Sequence, residues 1–191
     1  MADLNKIFDS FVASSLFKNK LVLQSNYSPE MILHREQQVE AIASVLGPVL
    51  SGEKSSNLFL YGKTGTGKTL SARYVGKKIE ERVKEMGKDN LKFLYINCKS
   101  KKISDTEYRL LAELIRKFKG DVPDTGVSTH SLYNKFVDIV DSDTQLILLI
   151  LDEIDQTVKK ISDEFLYNLT RINSELSKAK ICFVGISNDV S

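Results

Sequence analysis

A parallel, right-handed α/β sheet flanked by helices is the fold class this sequence predicts, and two patterns predict it. Four short apolar runs, Leu58–Tyr61, Phe93–Cys98, Leu146–Leu151 and Ile181–Ile186, alternate with longer stretches whose apolar residues recur every three or four positions. The first run enters Gly62-Lys-Thr-Gly-Thr-Gly-Lys68-Thr69 and leaves it into a helical pattern. Strand, glycine-rich loop and helix in direct succession are a building unit of parallel sheets with right-handed crossovers.

The bulk composition is that of a globular chain. Its 191 residues suit one such domain with a real core, or one domain and a small appendage, and 42% of them are hydrophobic. A net charge of +2 announces neither nucleic acid nor a membrane, so any basic partner site must come from local clustering. Cys98 and Cys182 lie far apart in apolar runs with no ligand partners nearby, which predicts buried free thiols in a reducing compartment. No stretch approaches the roughly 20 apolar residues of a bilayer span, and the N-terminus does not read as a signal peptide. The expectation is a soluble, cytoplasmic protein with no membrane partner.

Taken in order, Leu4, Ile7, Phe8, Phe11 and Val12 predict an N-terminal amphipathic helix, and Phe17–Ser28 an irregular crossing before Pro29. Residues 1–25 are thus read as a helix with its connection, and 26–191 as the main domain. Val39, Ile42 and Val45 or Leu46 predict a helix from Arg35 that Gly47-Pro48 kinks or ends. After the glycine-rich loop, Ala72, Val75, Ile79, Val83 and Met86 trace one face of a long helix stopping at Gly87. Ser104-Asp-Thr-Glu107 reads as a capping box, continued by Leu111, Leu114, Ile115 and Phe118. Leu132, Tyr133, Phe136, Val137 and Val140 predict the next helix, and Phe165, Leu169, Ile172 and Leu176 the last.

The chemistry is carried by two of the strand ends. Gly62-x-x-x-x-Gly67-Lys68-Thr69 is the P-loop pattern. Its glycines let successive N–H groups curl inward onto phosphate oxygens, and the following helix presents its positive end to the same anion. Gly62, Lys63, Thr64, Gly65, Thr66, Gly67, Lys68, Thr69 and Leu70 are therefore the expected ATP or ADP contacts, with Lys68 on the β- and γ-phosphates. The Thr69 hydroxyl would ligate Mg2+. Ile147–Leu151 followed by Asp152-Glu153 is a Walker B pattern, in which Asp152 would hold the water shell of Mg2+. Glu153 is the general-base candidate for an attacking water. Taken alone it would be a buried strand leaving into a polar turn; paired with the P-loop it gains its functional reading. The fourth strand ends in Ser187-Asn188-Asp189, ordinary turn chemistry that could also bond the γ-phosphate or the lytic water.

In this order the motifs resemble an AAA+ ATPase, and one branch in particular: the archaeal replication initiators related to the origin recognition complex and the cell-division-control loader. The resemblance is carried by Tyr27-Ser-Pro-Glu with Leu33-His-Arg-Glu-Gln37, Asn57–Thr69, Tyr95-Ile-Asn-Cys98 and Val122–Ser128, and covers about Asn26 to Ser191. It implies that Tyr27, His34 and Arg35 line the adenine pocket and that Asn188 is a catalytic sensor of the γ-phosphate. It also implies a helical insertion within Ser100–Ser131 that touches DNA. Lys99, Lys101, Lys102 and Arg109 would be its basic contacts, although a solvated charged loop explains them as well.

The same resemblance implies a strand order of 5-1-4-3-2 and an ATPase domain truncated here before the fifth strand and the lid. The arginine finger, the second sensor arginine and the winged-helix domain would lie beyond Ser191. Two expectations follow: self-association through an uncovered sheet edge, and negligible turnover by these residues alone. The implied partners are double-stranded origin DNA, the replicative helicase and other initiator subunits, with ATP hydrolysis as the switch. Two other readings stand beside this one: an AAA+ ATPase of a clamp-loading or remodelling machine, and a non-catalytic nucleotide-binding module. Changing Lys101 and Lys102 together to Glu is expected to weaken duplex binding and flatten its salt dependence. Equal affinity of parent and variant at low and moderate salt would remove DNA contact from this segment.

Overall fold

The computed structural model describes residues 4, 8, 31–100, 106–122, 126–161 and 163–189. The chain divides into two units, Met1–Leu33 and His34–Ser191. In the first, Leu4 and Phe8 are helical; the remainder of the expected N-terminal helix and the crossing Phe17–Ser28 lie outside the described residues. In the second, strands β1 (Leu58–Tyr61), β2 (Leu91–Asn97), β3 (Leu146–Asp152) and β4 (Lys180–Ser187) alternate with helices. These are α1 (Glu36–Leu46), α2 (Lys68–Glu85), α3 (Glu107–Lys117), α4 (Thr129–Val140), α5 (Ile154–Val158) and α6 (Asp163–Arg171).

The strands form one parallel sheet in the order β1-β4-β3-β2. That is the expected 1-4-3-2 portion of the family order. β3 has six consecutive apolar residues, so neither of its faces can be left to water, and all seven of its residues are buried. Alternation sorts them. Leu146, Leu148 and Ile150 join the core under α1 and α2, while Ile147, Leu149 and Leu151 join the core under α3, α4 and α6. β4 divides in the same way, Cys182, Val184 and Ile186 against Ile181 and Phe183.

α2 lies close against the sheet because Gly76 has no side chain: a Cβ there would sit 2.4 Å from Cε2 of Phe93 on β2. Cys98 and Cys182 are buried free thiols. Burial pushes the Cys98 thiol up to about 11, and the Cys182 sulfur accepts the Ser55 amide at 3.2 Å. Among the described residues no helix is long and apolar enough to cross a membrane.

Three details differ from the sequence reading. α3 is capped by Thr106, whose hydroxyl accepts the Arg109 amide at 3.3 Å, so Glu107 opens the helix and is not the third residue of a box begun by Ser104. An extended Thr beside the first helical residue satisfies the free N–H without the longer reach. The last helix ends at Arg171 and passes into a 3-10 turn, Ile172–Ser174, because the Asn173 side chain turns to bond both the amide and the carbonyl of Ile181. α5 has no counterpart in the periodicity, since five residues are too few to show one.

The entry to β4 is held by one carboxylate. Asp141, at the end of α4, accepts the amides of Ser177 at 2.9 Å, Lys178 at 2.7 Å and Ala179 at 2.8 Å. The bonds from Ala179, Ser177 and Lys178 hold its carboxyl below the usual carboxylate range. A group whose folded-state value is depressed adds stability above its unfolded value, and that stability is lost as pH falls through the folded one. Asp141→Asn is therefore expected to melt at a lower temperature than the parent at pH 7, with the gap closing below about pH 4. Thermal melts showing the same gap at both ends of that range would contradict it.

Candidate functional site

The P-loop follows β1 directly, and its glycines take the backbone where side chains are costly. Gly62, Gly65 and Gly67 have φ of 146°, 81° and 81°. Gly67 is the N-terminal cap of α2, so the helix opens at Lys68 with free N–H groups facing the loop. Lys68 folds back across the loop, its Nζ donating to the carbonyls of Gly62 at 2.7 Å and Lys63 at 2.9 Å. Thr66 braces the same turn by donating to the Lys63 carbonyl at 2.9 Å. Lys63, Thr64, Gly65 and Leu70 are exposed along the rim.

The end of β3 faces this loop. Thr69 donates its hydroxyl to Oδ2 of Asp152 at 3.0 Å, across 83 residues of sequence. Oδ2 also accepts the Tyr95 hydroxyl at 2.7 Å, and Oδ1 accepts the Glu153 amide at 2.9 Å. Asp152 is only 3% exposed, so a carboxylate there needs these donors. Burial, and then the hydrogen bond to Asp152, push the Tyr95 hydroxyl up to about 12. A hydroxyl and a carboxylate oxygen at this spacing suit Mg2+, which takes oxygen ligands and few protein ones. Among the described residues no cluster of three His, Cys, Asp or Glu side chains could hold a metal by itself. A cation here would share its ligands with phosphate and water.

Glu153 turns the chain from β3 into α5 with φ 52° and ψ 41°. A non-glycine residue in this left-handed conformation costs about 1–2 kcal/mol. It carries the Glu153 carboxylate to Lys99, with the ion pair at 3.3 Å. Asp155, two residues further, accepts the Asn188 amide at 3.2 Å and so ties α5 to the end of β4. Burial acts to raise the Asp155 carboxyl, but bonds from Gln156 and Asn188 outweigh it and leave it below the usual carboxylate range. Lys159 and Asp189 close the same corner with an ion pair at 2.7 Å.

The residues that the resemblance assigned to the adenine pocket are placed unequally. Arg35 lies against the P-loop, its Nε 3.4 Å from where a Cβ on Gly67 would sit. It lines a groove of about 500 Å3 with Ile42, Leu58, Gly62, Thr66 and Lys68. His34 is exposed, with φ 60° and its amide bonded to the Glu36 carboxylate at 3.1 Å. Tyr27 lies outside the described residues, as do Lys101 and Lys102. Of the other two basic positions, Lys99 is at Glu153, and Arg109 is exposed on the first turn of α3.

Sequence reasoning gave no role to Tyr95, to Arg73, whose guanidinium carbon lies 4.6 Å from the Tyr95 ring centroid, or to Asp155. Tyr95 stands two residues before the end of its strand, which puts it on the face of Asn97. Parallel pairing sets Asn97 beside Asp152, which would have been the usable signal.

The comparisons agree with this architecture. A family model described as an AAA domain matches residues 52–189. An ORC1-type DNA replication protein 1 of Methanosarcina mazei is 47% identical over 188 residues, covering 98% of this chain and 44% of that protein. An ORC1-type DNA replication protein of Pyrococcus abyssi is 44% identical over 192 residues, covering 98% and 45%. The chain therefore spans less than half the length of these curated relatives. Among solved structures, the Aeropyrum pernix ORC1 protein in complex with DNA has a TM-score of 0.82 at 36% identity, over 91% of this chain and 44% of that one. The Aeropyrum pernix ORC2 protein in its ADPNP-ADP complexes has a TM-score of 0.76 at 27% identity, over 92% and 46%.

Proposed function

The chain belongs to the AAA domain family, in its branch of ORC1-type DNA replication proteins, and from that membership we propose that it is the ATP-binding base of a replication initiator. The observation that supports this most directly is the bond at 3.0 Å from Thr69, in the P-loop helix, to Asp152, at the end of β3. It brings the phosphate cradle and the acid pair to one point at the carboxyl ends of the strands, where open parallel sheets bind ligands.

In this reading the loop amides and Lys68 take the β- and γ-phosphates of ATP. Lys68 exchanges its two loop carbonyls for phosphate oxygens, a stronger, charge-assisted pairing. Thr69 and Asp152 hold Mg2+, which when bound neutralises charge developing on the phosphates. Glu153 orients and deprotonates the attacking water, and leaves Lys99 to do so. Asn188 reads the γ-phosphate from the end of β4, with its backbone held by Asp155. Arg35, beside Gly67, borders the nucleotide, together with His34.

Hydrolysis then works as a switch for a protein that recognises double-stranded origin DNA, acts with other initiator subunits and supports loading of a helicase in the cytoplasm, on the chromosome. Support for a DNA partner comes from the relatives' names and from the Aeropyrum pernix ORC1 protein having been solved with DNA. β1 ends the described sheet with Phe59 and Tyr61 57% and 70% exposed, which supports pairing of that edge with another chain.

Lys68→Ala is expected to weaken ATP binding by at least about tenfold, the loss of a charge-assisted bond to phosphate. Glu153→Gln should bind like the parent while any residual hydrolysis disappears. Calorimetric titration with ATP checks both, and parental affinity in Lys68→Ala would refute the site.

A further inference from the structure

Resting on the nucleotide site above, we propose that Tyr95 is a positioning residue for the Mg2+-holding carboxylate, and that Arg73 holds Tyr95 in place. The strand register sets the geometry. Asn97 lies opposite Asp152 in the parallel β2–β3 pair, and residues two apart on a strand point to the same face. Tyr95 thus stands on the face toward which Asp152 projects, set back by about the length of a tyrosine side chain, roughly two strand residues at 3.3 Å each. Its hydroxyl meets Oδ2 at 2.7 Å, the shorter of the two hydroxyl bonds to that oxygen.

A carboxylate offers about four lone-pair sites. On Asp152 the Glu153 amide takes one on Oδ1, and Tyr95 and Thr69 take two on Oδ2. The amide and the Tyr95 hydroxyl bind opposite oxygens and so fix the rotation of the carboxylate plane. Thr69 is the partner that also belongs to the cation. Without the Tyr95 hydroxyl, the plane is held only by the Glu153 amide and by Thr69. Partners of this kind orient metal-holding groups, and removing one typically costs 10–100-fold in metal affinity or activity.

The ring that carries the hydroxyl is itself held. The Arg73 guanidinium carbon lies 4.6 Å from the Tyr95 ring centroid. Arg73 follows Thr69 by four residues on α2, one turn along the same helix face. The helix that offers the Thr69 hydroxyl therefore also fixes the side chain that aims Asp152. Packing alone gives no reason for the tyrosine hydroxyl: a phenylalanine would fill the same space and keep the arginine over the ring.

The test compares parent, Tyr95→Phe and Arg73→Met as full chains, using a fluorescent ATP analogue titrated first in EDTA and then against increasing Mg2+. Tyr95→Phe is expected to keep its affinity in EDTA within about twofold and to need about tenfold more Mg2+ for half-maximal enhancement. Arg73→Met should shift the Mg2+ requirement in the same direction. An unchanged Mg2+ requirement in Tyr95→Phe, or an equal loss of affinity with and without Mg2+, overturns the role of Tyr95 and leaves the nucleotide site standing. Should Tyr95→Phe fail to fold, Arg73→Met decides, and a parental Mg2+ requirement there overturns the proposal. A parent that does not bind the analogue more tightly with Mg2+ overturns the site and this inference together.

Discussion

A carboxylate buried at the end of the central strand is the constraint around which this structure is arranged. Asp152 is 3% exposed, and a buried charge without donors costs several kcal/mol. Its donors come from three places: Thr69 on the P-loop helix, Tyr95 on the neighbouring strand and the amide of the residue that follows. Each is possible only if α2, β2 and the β3–α5 turn sit where they do. The requirement to satisfy one acid therefore ties together elements that are distant in sequence.

The sheet makes this arrangement rigid. β3 is buried on both faces, and its alternation divides the core into two clusters that each pack helices against one side. Close packing leaves little room for β3 to slide. A one-residue slip would exchange its two faces and carry Asp152 away from Thr69. Gly76, under the Phe93 ring, brings α2 close enough for Thr69 and Arg73 to reach the strand ends. Core packing and site geometry are the same fact seen at two distances.

Around the rigid centre lie features of another character. Glu153 is held in a left-handed conformation that disfavours side chains, and an exposed lysine pairs with it. Lys68 spends its ammonium on loop carbonyls. The Lys99–Glu153 ion pair, with the lysine 68% exposed, contributes little to stability, on the order of 0–1 kcal/mol. Strain at Glu153 and weak, replaceable partners for Glu153 and Lys68 fit the proposed site, in which both groups would change partners on binding nucleotide.

Much of the fold was legible in the sequence because its signals are local. Leu58–Tyr61 is bounded by the loop that follows it, the six-residue apolar run of β3 allows no exposed face, and α2 shows its period over 18 residues. The P-loop and the acid pair were legible for the same reason, since each chemistry is carried by adjacent residues. Short or contact-defined features were not: five residues of α5 carry no period, and the cap of α3 rests on one contact, from the Arg109 amide to the Thr106 hydroxyl. By itself the sequence determined the sheet class, the strand sequence and the two motifs, because these depend on neighbours along the chain. Only the tertiary structure decided that Tyr95 reaches Asp152, that Arg73 covers Tyr95, that Lys99 meets Glu153 and that Asp155 anchors Asn188. Those contacts depend on the register of parallel strands and the approach of a helix, which no local pattern records.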